Sequence, residues 1–190
     1  MNTDETPRDE TPRDEAAPTD AATTPVDPAE PAGPAEEAPA GPPPRPLTED
    51  EVLEILARER IGTLATIKRD GRPHLSNMLF AWDPAARVIR FSTTADRAKP
   101  HHVRRNANAA LHVSGGNVWS FAVAEGDAEV TEPTTIPGDA TGRELLAMVP
   151  AEFRPADEAT FLAGAVAERR VVIRLAVTRL YGTALDVPDA

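Results

Sequence analysis

Ile61-Gly62-Thr63-Leu64-Ala65-Thr66-Ile67-Lys68, a turn at Asp70-Gly71, and then Arg72-Pro73-His74-Leu75-Ser76-Asn77-Met78-Leu79-Phe80 together decide the fold. Two strand-like runs meet at an Asp-Gly pair. Because Gly takes up the positive φ of a tight turn without strain, the stretch reads as a β-hairpin. The second strand ends near Trp82, where Asp83-Pro84-Ala85-Ala86 supplies a turn, and residues 88–93 and 110–113 read as the third and fourth strands. Residues 119–130 are long enough for one strand that bends at Gly126 and serves two sides of a barrel. Residues 171–182 close the sheet, with apolar side chains at 171, 173, 175 and 177 alternating against Arg174 and Thr178.

Helices flank these strands. Thr48-Glu49-Asp50-Glu51 is a capping box in which the Thr48 hydroxyl and the Glu51 carboxylate each satisfy a free amide, so a helix is expected over about 49–60. Its buried face is Val52, Leu53, Ile55 and Leu56, which follow helical spacing. Further helices are expected over about 96–106, 141–148 and 156–168. The resulting expectation is a mainly β chain of six antiparallel strands forming a small barrel with peripheral helices. Too few elements remain for a doubly wound nucleotide fold.

Charge divides unevenly along the chain. Residues 1–46 hold 11 acidic and 3 basic residues and 12 of the 20 prolines, contain no aromatic residue, and repeat Asp-Glu-Thr-Pro-Arg at 4–8 and 9–13. Such a segment cannot bury enough apolar surface to offset the entropy of ordering, so it reads as a disordered tail. Of the overall net charge of −11, this tail carries −8 and the rest only −3, so global acidity says little about the folded part. The expected organisation is a tail over 1–46, one cofactor-binding domain over 47–186 and a short end over 187–190. The start of the chain lacks the basic and apolar parts of a secretion signal, and no run approaches the ~20 apolar residues of a membrane span. With no cysteine, disulfides, thiolate catalysis and thiolate-bound metals are excluded. His74, His101, His102 and His112 show no metal-binding spacing with nearby carboxylates, so no metal is assigned. A cytoplasmic protein with a non-covalently held organic cofactor, and with neither membrane nor nucleic acid as partner, is what these exclusions leave.

One basic segment interrupts the strands: Arg97-Ala98-Lys99-Pro100-His101-His102-Val103-Arg104-Arg105. Arg97 and Lys99 open a short helix, where unpaired amides and the positive helix end already favour an anion. On the residues alone this is equally a phosphate site or a solvated basic face.

Residues 61–77, Arg97-Ala98-Lys99, residues 119–126 and residues 169–173, taken in this order, resemble the split-barrel flavin and deazaflavin oxidoreductases of the pyridoxamine phosphate oxidase class. Within that class the chain is most similar to the small members that use 8-hydroxy-5-deazaflavin, coenzyme F-420. The resemblance implies that Arg97 and Lys99 grip the cofactor phosphate, with His102 standing where the family commonly has Asn. It implies that His74, Ser76 and Asn77 lie along the edge of the cofactor ring and that Ser92 and Thr93 lie beside the ribityl chain. Trp119 suits stacking on a ring or substrate, with core packing as the competing role, and Arg170 of the Arg169-Arg170 pair is the candidate to reach the cofactor. It further implies a homodimer with cofactor sites at the interface. The expected reaction is hydride transfer from reduced deazaflavin to an electron-poor small molecule such as an enone, quinone or bilin, with no side chain assigned as catalytic acid, base or nucleophile. An FMN-dependent oxidase or reductase and a non-catalytic cofactor carrier are the alternatives.

Overall fold

The structure, a computed structural model, describes residues 43–116 and 119–185. The expected disordered tail therefore lies outside the described residues up to position 42, as do residues 187–190. Near the end of that tail, Arg45–Pro46 form a two-residue strand, β1, paired with Thr183 and Ala184.

Helix α1 (Glu49–Arg58) starts at the capping box: the Thr48 amide donates to Glu51 Oε2 at 2.8 Å and the Glu51 amide to Thr48 Oγ1 at 3.3 Å. The helix stops at Arg58, two residues short of expectation, and buries Val52, Ile55 and Leu56, with Leu53 only half-buried. Strands β2 (Ile61–Ile67) and β3 (Pro73–Leu79) form the hairpin read from the sequence, and Gly71 takes a φ of 81° in its turn.

The second strand does not continue to Trp82. Phe80 leaves the ladder, its amide donating to the carbonyl of Arg60, and the chain resumes as β4 (Ala81–Asp83). With β5 (Val88–Thr94), α2 (Ala98–Arg105), β6 (Asn108–Ser114), β7 (Ser120–Val130), α3 (Ala140–Ala147), α4 (Glu158–Ala167) and β8 (Arg170–Ala184), the sheet has eight strands where six were expected. The two additions are the short β1 and the detached β4.

Strand order is β3-β2-β6-β7-β8-β5-β4, with β1 on β8. Since β3 and β4 sit at opposite ends of that order yet are separated in sequence by Phe80 alone, the two ends cannot lie more than about 7 Å apart there. The sheet must therefore curl on itself. Its ends meet without a hydrogen-bonded ladder, which is the split of a split barrel. The long β7 bends where expected: register shifts between Glu125 and Gly126, and a Cβ on Gly126 would stand 1.9 Å from the Ala176 carbonyl oxygen.

The barrel core is fully buried at Leu64, Phe91, Leu111, Val113, Ile173 and Leu175. Val103 of α2 joins it and closes one end. On β8 the alternation at 171, 173, 175 and 177 holds, all buried, but Val172 on the opposite face is also buried, against Leu145 and Ala165 of the α3–α4 pair. A second layer thus covers β8 from outside. Glu144 of α3 fastens that layer, accepting from Arg90 Nε at 2.9 Å and Arg174 Nη2 at 2.6 Å, two arginines directly opposite each other on β5 and β8.

Candidate functional site

The basic helix begins at Ala98, so Arg97 is its N-cap residue and contributes no side-chain cap, leaving the first-turn amides without that partner. Pro100 and Val103 bury one face of α2, which fixes Arg97 and Lys99 at the rim of the barrel. Lys99 is half-buried and, among the described residues, has no carboxylate partner. Burial, and secondarily the charge of Arg97, push its pKa below the usual lysine value. Arg97 is exposed and is partly offset by Asp96, whose carboxyl is held low by the Thr94 hydroxyl at 2.5 Å and, to a lesser degree, by Arg97 and Arg169. An uncompensated, part-buried cation beside a second cation at a helix start is a site that favours an anion.

One turn further along α2, His102 Nδ1 lies 3.1 Å from the buried Thr66 hydroxyl, and its ring meets His74 of β3 edge-on, centroids 5.0 Å apart. His74 in turn lies 3.3 Å from Ser76 Oγ. Burial, then the charges of His74, Arg105, Lys68 and His101, lower the His102 pKa, so this imidazole is neutral at physiological pH. His102 thus bridges the basic helix to β3. As the terminal strand, β3 presents one edge of backbone amides and carbonyls outside any ladder of the described sheet.

Alternation along β3 sends His74, Ser76 and Met78 to the sheltered face and Leu75, Asn77 and Leu79 outward. Asn77 Oδ1 accepts from Thr63 Oγ1 at 2.9 Å. Between this strand and the α3–α4 layer opens a cleft of about 980 Å3, whose lining includes Asn77, Ser92 and Arg170. Arg170 donates to Ser92 Oγ at 2.9 Å and to Glu168 at 2.7 Å. Arg169 sits in the preceding turn with a φ of 51°. Only Arg170 of the pair lines the cleft.

Of the residues singled out from the sequence, Asn77, Ser92 and Arg170 line the cleft, whereas His74, Ser76, Arg97, Lys99 and His102 lie outside its lining, and two more fall elsewhere. Thr93 is buried between strands and does not line the cleft. Trp119 is half-exposed just ahead of β7, its carbonyl accepting from the Leu185 amide, and is likewise outside the cleft lining of its own chain. What sequence reasoning missed is the wall opposite β3: Leu145 of α3, Met148 at its C-cap, and Phe161, Gly164 and Ala165 of α4. The signal was present in Val172, which breaks the alternation of β8 because two layers cover that strand.

A curled antiparallel sheet open along one seam, with a cation-bearing helix start and an apolar cleft beside the free strand, defines a split-barrel protein. The chain belongs to the pyridoxamine 5'-phosphate oxidase family, whose model matches residues 48–184. A biliverdin reductase of Mycobacterium tuberculosis that depends on reduced coenzyme F-420 is 27% identical over 135 residues, which cover 71% of this chain and 88% of that protein. The crystal structure of a conserved hypothetical protein from Mycobacterium tuberculosis matches with a TM-score of 0.58 at 24% identity, covering 76% of this chain and 91% of its own. An FMN-binding protein related to pyridoxamine 5'-phosphate oxidase, from Nostoc punctiforme, matches with a TM-score of 0.50 at 16% identity, covering 74% and 86%. The last two similarities establish the fold.

Proposed function

We propose that the protein is an oxidoreductase that binds 8-hydroxy-5-deazaflavin (coenzyme F-420) and uses its reduced form to reduce an electron-poor small molecule of the enone, quinone or bilin type. The observation that carries the reading is Lys99, a part-buried cation without an acidic partner among the described residues, placed with Arg97 at the start of α2. The similarity to a reductase dependent on this coenzyme supports deazaflavin over FMN.

Arg97 and Lys99 hold the phosphate. Ser76, Asn77 and the free edge of β3 orient the ring, and Ser92 with Arg170 engages the chain between ring and phosphate. His102, neutral and tied to Thr66, offers a hydrogen bond without adding a further charge to the cluster. When bound, reduced deazaflavin supplies a hydride from ring carbon 5. The α3–α4 wall flanks the reacting face, and the proton that completes reduction of the acceptor would come from water, so no side chain is assigned as acid or base.

The functional unit is a homodimer. Ile61 and Leu79 are a register pair on the outer face of the hairpin, 63% and 70% exposed, Leu75 on the same face is 63% exposed, and Leu79 also borders the cleft, so patch and cleft adjoin. A second copy of the chain covers this patch.

Fluorescence titration of purified protein with oxidised deazaflavin and with FMN tests the cofactor. Addition of reduced deazaflavin with a panel of enones, quinones and biliverdin then tests the reaction. Tighter binding of FMN would move the protein to the flavin-dependent members of the family, and binding without turnover of any acceptor would make it a carrier.

A further inference from the structure

The wall of the cleft opposite β3 contains a residue that the fold itself does not account for. On α4, Phe161, Gly164, Ala165 and Glu168 follow helical spacing and all line the cleft. Gly164 lies inside this helix, where glycine is less favourable than alanine by about 1 kcal/mol. Its φ is not positive, and a Cβ built on it meets nothing within 4 Å. Gly142 of α3 shows the contrast: a Cβ there would stand 3.3 Å from both Leu162 and Asp139, so helix crossing explains that glycine. No such neighbour explains Gly164. Gly164 is exposed to the cleft, of about 980 Å3, which is also lined by Phe161, Leu145 and Met148. Its rim carries both signs of charge, Arg60 and Glu152, so the surroundings select for apolar bulk more than for a charge.

We infer that the α4 face centred on Gly164 is the specificity-determining wall of the acceptor site, keeping room for a flat, apolar molecule of several fused or linked rings to lie against the helix backbone. The inference rests on the oxidoreductase reading for what the bound molecule undergoes, but not for whether it binds. Small single-ring acceptors need none of this space. A side chain at position 164 therefore disfavours large acceptors more than small ones, and Gly164 is not among the residues assigned to the cofactor.

The test uses the full chain and the neutral fluorescent probe N-phenyl-1-naphthylamine, whose binding requires no turnover. Wild type is expected to bind it, Gly164→Ala to retain most of the affinity, and Gly164→Leu to lose at least tenfold, with deazaflavin titration and thermal midpoint unchanged. Where the wild type turns over acceptors, Gly164→Leu should raise KM for a multi-ring acceptor by a larger factor than for a single-ring quinone. If the leucine variant fails to fold, Gly164→Met presents similar bulk on a more flexible stem. Equal probe affinity in wild type and a folded Leu or Met variant overturns the inference, as does a variant whose only change is in oligomeric state, which would place a second copy of the chain in front of Gly164. Absence of turnover with every acceptor, alongside Gly164-dependent probe binding, would overturn the oxidoreductase reading and leave this site standing.

Discussion

Replacing Lys99 by alanine separates the phosphate reading from a solvated basic face. In the free protein Lys99 is half-buried, has no described carboxylate partner and is opposed by Arg97, so its charge gives the fold nothing and its removal should leave the thermal midpoint unchanged or slightly higher. In the complex the same ammonium donates to an anionic oxygen. A hydrogen bond to a charged group is worth about 1.5–3 kcal/mol, so the dissociation constant for deazaflavin should rise roughly ten- to a hundredfold. The pH dependence has a definite sign. Burial and Arg97 lower the Lys99 pKa when the site is empty of anion, and a bound phosphate raises it again, so binding is tightest below the lowered pKa and weakens as pH climbs through it. Lys99→Ala should be weaker throughout and should lack that alkaline weakening. Arg97→Ala should act in the same direction, and the double variant should depart from additivity because both cations serve one anion. Fluorescence titration over a pH series at fixed salt measures all of this. A folded Lys99→Ala protein with wild-type affinity at every pH would refute the phosphate assignment.

The Glu144 carboxylate, 15% exposed and shared by Arg90 and Arg174, is held below the usual range because these two guanidiniums outweigh the effect of its burial. Its contribution is therefore present above the unfolded-state pKa and lost as pH falls through the lower folded value; Glu144→Gln should cost on the order of 2–3 kcal/mol near neutrality and flatten the acid limb of the stability curve, as read by urea titration. Gly126→Ala drives a methyl into the Ala176 carbonyl at the β7 bend, a backbone contact that cannot give way, so the variant should unfold tens of degrees early or fail to accumulate as folded protein in a calorimetric scan. Ile61→Glu combined with Leu75→Glu puts charge into the proposed dimer face without touching the core or the cleft lining; sedimentation should show monomer with native circular dichroism, and an unchanged dimer would relocate the interface.

The elements that reading the sequence captured are those whose signals are local. A capping box at Thr48 and Glu51, an Asp-Gly turn and the buried positions 171, 173, 175 and 177 of β8 each depend on neighbours a few residues away, and each appears in the structure. The helix start bearing Arg97 and Lys99 was legible for the same reason, although the helix begins at Ala98, two residues later than expected. The break at Phe80 was not legible, because the apolar run continues through it. What ends β3 there is tertiary: the Phe80 side chain is needed in the core and its amide is taken by Arg60, so the chain crosses the seam and pairs with β5 instead. The cleft was hidden by the same kind of cause. Helices α3 and α4 have an apolar side that sequence periodicity assigns to packing, and packing does use Leu145 and Ala165 against Val172. The neighbouring turn of α4 faces open space instead, and no pattern in the chain distinguishes a side chain that covers a strand from one that walls a cavity. Glycine is the exception. At Gly126 and Gly142 the backbone or a side chain stands where a methyl would go, and at Gly164 nothing does, so only three-dimensional contact tells a glycine required by folding from one that leaves room for a ligand.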